Sequence, residues 1–254
     1  MKLNSPAKRL GFVLLIVAFV AFIFVSLDQK AKENTAPLRI TITDYETKKF
    51  IKKEEIQQQL NDTFPATLNG VTIGSIDIKR IEDIVKRNDF VEEAEVYIDA
   101  TNHVNIKLSQ REPIVRVVDM EGSNYYIDTK GRYMPTSRHF TARVPVASGF
   151  VTNRMYNIPI ENIKNPLNSL FILVKYIQSD DFLNAQIEQI YVEKSGDFVL
   201  VPKIGAKIIL GNAADLPEKF KRLKIFYKEA SSYTGFTKYK SINVKFKGQV
   251  VCEK

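Results

Sequence analysis

The sequence predicts an α+β protein carried on a single N-terminal transmembrane helix, and three observations predict it. Leu10 to Leu27 runs without a charged residue, which at ~1.5 Å per residue nearly spans a bilayer's ~30 Å hydrocarbon core. Residues 38–110 alternate between periods of two and 3.6 in the order β-α-α-β-β. Residues 111–254 read as short period-2 runs separated by Gly, Asp and Asn turns, a mainly antiparallel β domain with two flanking helices.

The apolar run is read as an uncleaved anchor. Lys2, Lys8 and Arg9 precede it and no acidic residue occurs before Asp28, so residues 1–9 form a cytoplasmic tip and the bulk lies outside the inner membrane. A signal peptide has an apolar core of only ~7–15 residues, and Val25-Ser26-Leu27-Asp28 lacks the small residues a peptidase reads. A buried core helix needs a polar face, which residues 10–27 lack. The polar stretch 28–37, ending in Pro37, reads as a juxtamembrane linker.

The first domain, residues 38–110, opens on the alternating strand Leu38–Asp44. Ile56, Leu60 and Phe64 stand four apart and predict a helix from Phe50 to Phe64, stopped by Pro65. Ile78, Ile81, Ile84 and Val85 predict a second over residues 73–88. Ala94, Val96 and Ile98, then Val104, Ile106 and Leu108, alternate on either side of Ala100-Thr101-Asn102-His103, which is a β-hairpin. Gln110-Arg111-Glu112-Pro113 follows with no linker composition, and the boundary is placed there, with Arg111 and Pro113 as junction residues.

The second domain, residues 111–254, continues with strands at Ile114–Val118 and Tyr125–Ile127, a turn at Asp128–Gly131, and Arg143–Gly149. Leu167, Leu170, Phe171, Val174 and Ile177 mark a helix over 166–179. Strands are expected at Ile187–Val192, Phe198–Val201 and Lys207–Leu210. Asp215 and Glu218 have the spacing of a capping box before a helix at Leu216–Ser231 striped by Leu216, Phe220, Leu223 and Tyr227. Ile242–Phe246 closes the series as a terminal strand, followed by Lys247-Gly248 and Gln249–Cys252.

Composition narrows the function. The hydrophobic fraction of 44% and charged fraction of 26% are those of a folded chain. The net charge of +8 comes from scattered lysines; those on the 216–231 helix read as its wet face, so no nucleic acid is expected. Cys252 is the one cysteine, so no internal disulfide forms. His103 and His139 have no zinc-spaced partners, and neither a Gly-x-Ser-x-Gly elbow nor a Walker loop occurs. Asp180-Asp181 reads as a helix cap rather than an acid/base pair. The chain is expected to be no enzyme and to bind no metal, cofactor or small-molecule substrate. A terminal strand at a sheet edge is open to strand addition by a partner; from pattern alone an internal strand fits equally.

Several segments, in order, resemble the bitopic cell-division proteins of the FtsQ/DivIB family, of a Bacteroidetes type. They are Asp89–Val96, Gln110-Arg111-Glu112-Pro113-Ile114-Val115, Tyr125–Gly131, Val144–Gly149 and Gly196–Gly211. The chain departs at Gln110, where the family carries glutamate. The resemblance implies that the β-α-α-β-β unit is a POTRA domain and that the chain is a non-enzymatic divisome scaffold at the septum. It implies FtsB/DivIC-like and FtsL-like partners outside the membrane, and help in recruiting or regulating septal peptidoglycan synthesis. In the family FtsB adds a strand to the terminal strand of the β domain; the matching positions here are Val244, Lys245, Phe246 and Gly248, and Val250 is expected to bind the partner with them. The alternative is a POTRA-type chaperone or transport module that uses the 94–109 hairpin as its accepting edge.

Overall fold

A computed structural model of the chain describes residues 6–64, 68–151, 166–234 and 238–254. Met1–Ser5 of the expected cytoplasmic tip and Pro65, expected to stop a helix, lie outside them. The chain divides into two compact units, Met1–Gln110 and Arg111–Lys254.

The first unit begins with helix α1, Pro6–Lys32. From Leu10 to Leu27 its side chains face outward, and among the described residues it is the one helix long and apolar enough to cross a membrane. It does not stop at the end of the apolar run. Residues 28–32, expected in the linker, continue the helix: Asp28 and Lys32 pair at 2.5 Å one turn apart, and Gln, Lys and Ala are good helix formers. Strand β1, Ala36–Ile42, then starts inside the remainder of the expected linker.

Helix α2, Lys53–Thr63, buries Ile56 and Leu60, with the Lys52 N–H donating to Glu55 Oε2 at 3.0 Å at its start. The helix expected over 73–88 is split. A 3-10 turn at Ile73–Ser75 comes first, then Asp77 caps helix α3, Ile78–Lys86, by accepting the Arg80 N–H at 2.9 Å. An aspartate is a better cap than an interior helical residue, so the helix starts there. Strands β2, Val91–Ile98, and β3, His103–Gln110, form the expected hairpin. β1 pairs parallel with β3, giving the order β1-β3-β2. Ile56, Leu60, Ile81 and Val85 pack on Val96, Val104, Ile106 and Leu108 as the core.

Gln110 closes this unit and explains its departure from glutamate. Its Oε1 accepts the Phe50 and Ile51 N–H groups at 2.9 and 3.2 Å, while its Nε2 donates to Lys48 O at 2.6 Å and Asp44 Oδ1 at 3.3 Å. A carboxylate here would lose both donated bonds and face the charge of Asp44.

The second unit is one nine-stranded sheet. In chain order it comprises β4 Pro113–Asp119, β5 Asn124–Asp128, β6 Tyr133–Pro135 and β7 Val146–Gly149. Helices α4 Pro166–Gln178 and α5 Asp181–Gln186 precede β8 Ile187–Val192, β9 Phe198–Pro202 and β10 Lys207–Gly211. Helix α6 Leu216–Thr234 leads to β11 Ser241–Asn243 and β12 Val251–Glu253. The spatial order is β12-β11-β10-β9-β8-β7-β4-β5-β6. Antiparallel pairs predominate, and β4/β7, β7/β8 and β10/β11 are parallel. The expected stripes of α4 and α6 pack with alternate strand residues such as Val117, Ala147, Ile190, Leu200 and Ile208 in one core.

Three differences from expectation stand out. The unit has three described helices rather than two: Asp180 caps the short α5, accepting the Leu183 N–H at 3.1 Å. α5 buries only Leu183, so its sequence shows no helical period. Asp215 precedes α6 with φ 55°, in the left-handed region that aspartate tolerates better than most residues, and its carbonyl accepts the Lys219 N–H at 3.1 Å. The terminal strand is also divided in two, as described below.

Gly149, where β7 ends, has φ 94°, and a Cβ built there would lie 2.3 Å from Val192 O. Gly149→Ala is therefore expected to lower the unfolding free energy by at least about 3 kcal/mol, from backbone strain plus a contact that only strand separation relieves. Denaturant unfolding of the detergent-solubilised chain reads this out, and a loss below about 1 kcal/mol would show that the β7–β8 approach is not rigid.

Candidate functional site

The end of the large sheet is built by β10, α6, β11 and β12. β11 lies between β10, Lys207↔Ser241 to Ile209↔Asn243, and β12, Ser241↔Glu253 to Asn243↔Val251. Ile242 therefore sits on an interior strand, not on an edge. After Asn243 the ladder stops: the Val244 N–H makes one more bond, to Ile209 O at 3.0 Å. Arg222 from α6 then donates to Val244 O at 2.9 Å and Phe246 O at 3.2 Å. This takes carbonyls that a longer β11 would have offered to a neighbour.

The five residues expected to bind a partner, Val244, Lys245 and Phe246 on the expected terminal strand and Gly248 and Val250 after it, all occupy the connection between β11 and β12. Val244 is buried in the core. Lys245 Nζ reaches Asp197 Oδ2 at 2.5 Å, and this hydrogen bond holds the ammonium above the ordinary lysine pKa. Phe246 is 48% exposed. Gly248 turns the chain with φ 76°, and Val250 packs partly against the core.

The strand that bounds the sheet is β12. The Lys240 N–H donates to Glu253 O at 2.8 Å and Ser241 Oγ to Glu253 Oε2 at 3.1 Å, fixing its inner side. Its outer side meets no described strand. Cross-strand register carries Cys252 through Ile242, Ile208, Leu200 and Ile190 along the core face. The same register carries Val251 through Asn243, Ile209 and Val199 to Tyr191 on the opposite face. Val251 is 46% and Tyr191 43% exposed, so that face offers an apolar row running inward from the edge, interrupted by Asn243. Burial pushes the Cys252 thiol above its ordinary pKa, which keeps it protonated.

The other sheet margins differ. β6, at the far end of the nine strands, finishes on Pro135 and cannot offer an uninterrupted row of donors. In the first unit β2 is an edge strand, and its outward Glu93 and Glu95 put charge along it.

The expected junction residues fall in the second unit. Arg111 Nε donates to Asp128 Oδ2 at 2.9 Å, and its guanidinium also donates to Tyr133 O at 2.8 Å. Pro113 opens β4 opposite Asp128, at a strand start where a missing N–H is tolerated. Among the described residues no group of three or more His, Cys, Asp or Glu gathers as a metal site.

The family FtsQ/DivIB, C-terminal related, matches residues 112–253, more than half of the chain. The chain belongs to the FtsQ/DivIB family. A POTRA-like domain matches residues 35–109, which identifies the β-α-α-β-β unit. No curated protein matches the chain. FtsQ/DivIB proteins are non-enzymatic scaffolds of cell division, and the apolar α1 fits the membrane anchor of such a scaffold.

Sequence reasoning missed the edge-forming residues Val251 and Glu253 and the row ending at Tyr191. A three-residue strand contains one and a half alternations, too little for a period. The usable signal was Gly248, a turn residue splitting the apolar run before Val250-Val251.

Proposed function

We propose that this FtsQ/DivIB-family chain is a non-enzymatic, membrane-anchored divisome scaffold that captures an exported FtsB/DivIC-like segment by strand addition at β12. An FtsL-like protein belongs to the same assembly, and the scaffold helps recruit or regulate septal peptidoglycan synthesis. Residues 1–9 face the cytoplasm, α1 crosses the inner membrane, the POTRA-like domain and the second unit lie outside it, and the protein concentrates at the septum. The observation that carries this reading is the outer side of β12, which pairs with no described strand, beside a sheet face on which Val251 and Tyr191 are exposed. Main-chain bonds would give the affinity and alternate side chains the selectivity.

The connection residues take distinct roles in this proposal. Phe246, exposed, contacts the incoming partner. Val244 and Lys245 hold the connection to the core and to Asp197, Gly248 turns it, and Val250 seats it. Arg111 and Pro113 serve the domain junction. The chaperone or transport alternative needs β2 as its accepting edge, and the glutamates on that strand work against it.

A fluorescent fusion of the full chain in growing cells tests the proposal. A mid-cell band in dividing cells is the expected result. A uniform envelope signal throughout division would overturn the scaffold reading in favour of the transport one.

A further inference from the structure

The anchor helix does not hand over to a flexible tether. Lys30, inside its last turn, donates to Ala100 O at 3.2 Å and to the side-chain carbonyl of Asn102, both at the tip of the β2–β3 hairpin. Asn102 Nδ2 returns a bond to Glu33 Oε2 at 2.8 Å, and Asn102 O accepts the Ala36 N–H at 2.8 Å. Between these, the Ile73 N–H donates to Glu33 O, Asn34 bridges Thr72, and the Thr35 N–H donates to Val71 O. Thr35 Oγ1, buried, donates to Leu68 O at 3.0 Å. Gly74 lies so close to the helix that a Cβ there would sit 3.2 Å from Ala31 O and 3.3 Å from Ala31 Cβ. Every residue from Lys30 to Ala36 except Lys32 therefore bonds to or packs on the POTRA-like unit, or pairs through its backbone with it.

Length then locates this clasp. The apolar run ends at Leu27, and Ala31 stands four residues, or ~6 Å, further along the helix axis. A headgroup layer adds roughly 5–7 Å on each side of the hydrocarbon core. The groups touching Lys30 and Ala31, namely Gly74, Ala100 and Asn102, fall within or at the outer boundary of that layer.

Resting on the reading of α1 as a membrane anchor, we propose that the face of the first unit formed by the hairpin tip and the 3-10 turn is a phospholipid-headgroup contact surface that seats the domain on the bilayer. The side chains it exposes there are small or uncharged: Asn69, Thr72, Ser75, Ala100 and Thr101. Ser75 and Thr101 already donate to Thr72 O and Asp99 Oδ1, which leaves the exposed Thr72 hydroxyl to donate to a phosphate or glycerol-ester oxygen. The charges at this end of the helix, Lys30 with Glu33 and Lys32 with Asp28, pair with one another, so the seat does not require anionic lipid. The surface is lipid-facing by construction, because the same few residues hold the helix.

The test uses the full chain with Cys252→Ser and Ala100→Cys, labelled with a fluorophore at residue 100 and reconstituted in phosphatidylcholine vesicles carrying a nitroxide-headgroup lipid. A second version has a flexible Gly/Ser insertion between Lys32 and Glu33. Loss of most of the fluorescence in the first, and its recovery in the second, is the expected pair of results. Equal quenching of both, or quenching of neither, in protein that floats with the vesicles would overturn the seat while leaving the anchor intact. Protein that fails to float would overturn the anchor and the seat together.

Discussion

Val251→Pro is expected to weaken the proposed strand capture at β12 strongly while the rest of the sheet stays folded. Proline has no N–H and resists ladder formation; Val251 pairs with Asn243 with its N–H on the β11 side, so the substitution unfastens β12, the strand that bounds this end of the sheet, and the proposed accepting edge goes with it. Val251 is nearly half exposed, so little core packing is lost with its side chain. Each lost main-chain bond is worth about 1 kcal/mol and misaligned neighbours add to it, so affinity for an FtsB/DivIC-like segment should fall at least about tenfold. A binding titration with that segment measures the effect, and circular dichroism with a thermal midpoint checks the fold. Val251→Thr, which keeps the backbone donor and the branched shape, should bind nearly as the parent does. A folded Val251→Pro chain with parental affinity would exclude β12 as the accepting edge. Proline at Phe246 is no equivalent probe, because Phe246 belongs to neither β11 nor β12.

The largest expected loss of stability is at Asp128, whose side chain is fully buried. Its Oδ2 accepts Arg111 Nε at 2.9 Å and Arg132 Nε at 2.8 Å, and its Oδ1 accepts the Lys130 and Arg132 N–H groups at 3.0 and 2.7 Å. Asp128→Ala leaves the Arg111 guanidinium, 7% exposed, without its carboxylate. Removing one member of such a buried pair costs about 3–5 kcal/mol, a large part of the ~5–15 kcal/mol that holds a typical domain together. The thermal midpoint should drop by about 6–20 °C. Asp128→Asn keeps the shape and part of the acceptor set, so it should lie between. A midpoint within about 2 °C of the parent for Asp128→Ala would show that Arg111 finds an adequate partner elsewhere.

Much of this fold was legible because its elements are long or strongly periodic. The α6 stripe of Leu216, Phe220, Leu223 and Tyr227 is buried throughout, and Val104, Ile106 and Leu108 line the first core as their alternation required. The split of residues 73–88 was hidden because Ile73, Ile78 and Ile81 keep an apolar spacing across an interruption set by the Asp77 cap. β6, β11 and β12 have three residues each, too few to show a period. The order of the nine strands depends on long-range pairings such as Val117↔Ala147 and Ala147↔Ile190, which no local pattern encodes. At the candidate site the decisive element was Arg222, which ends β11 from 22 residues away in sequence.

The dependence of β12 on β11, and of β11 on a strand reached across α6, sets an order of events. A chain that emerges N-terminus first can complete the POTRA-like unit and the β4–β10 part of the sheet before residues 241–253 arrive. The accepting edge comes into being only with the last pairing, Ser241↔Glu253 to Asn243↔Val251. With β12 as the proposed accepting edge, partner capture is reserved for molecules that have finished folding, and an incomplete or stalled copy is expected to leave the partner free.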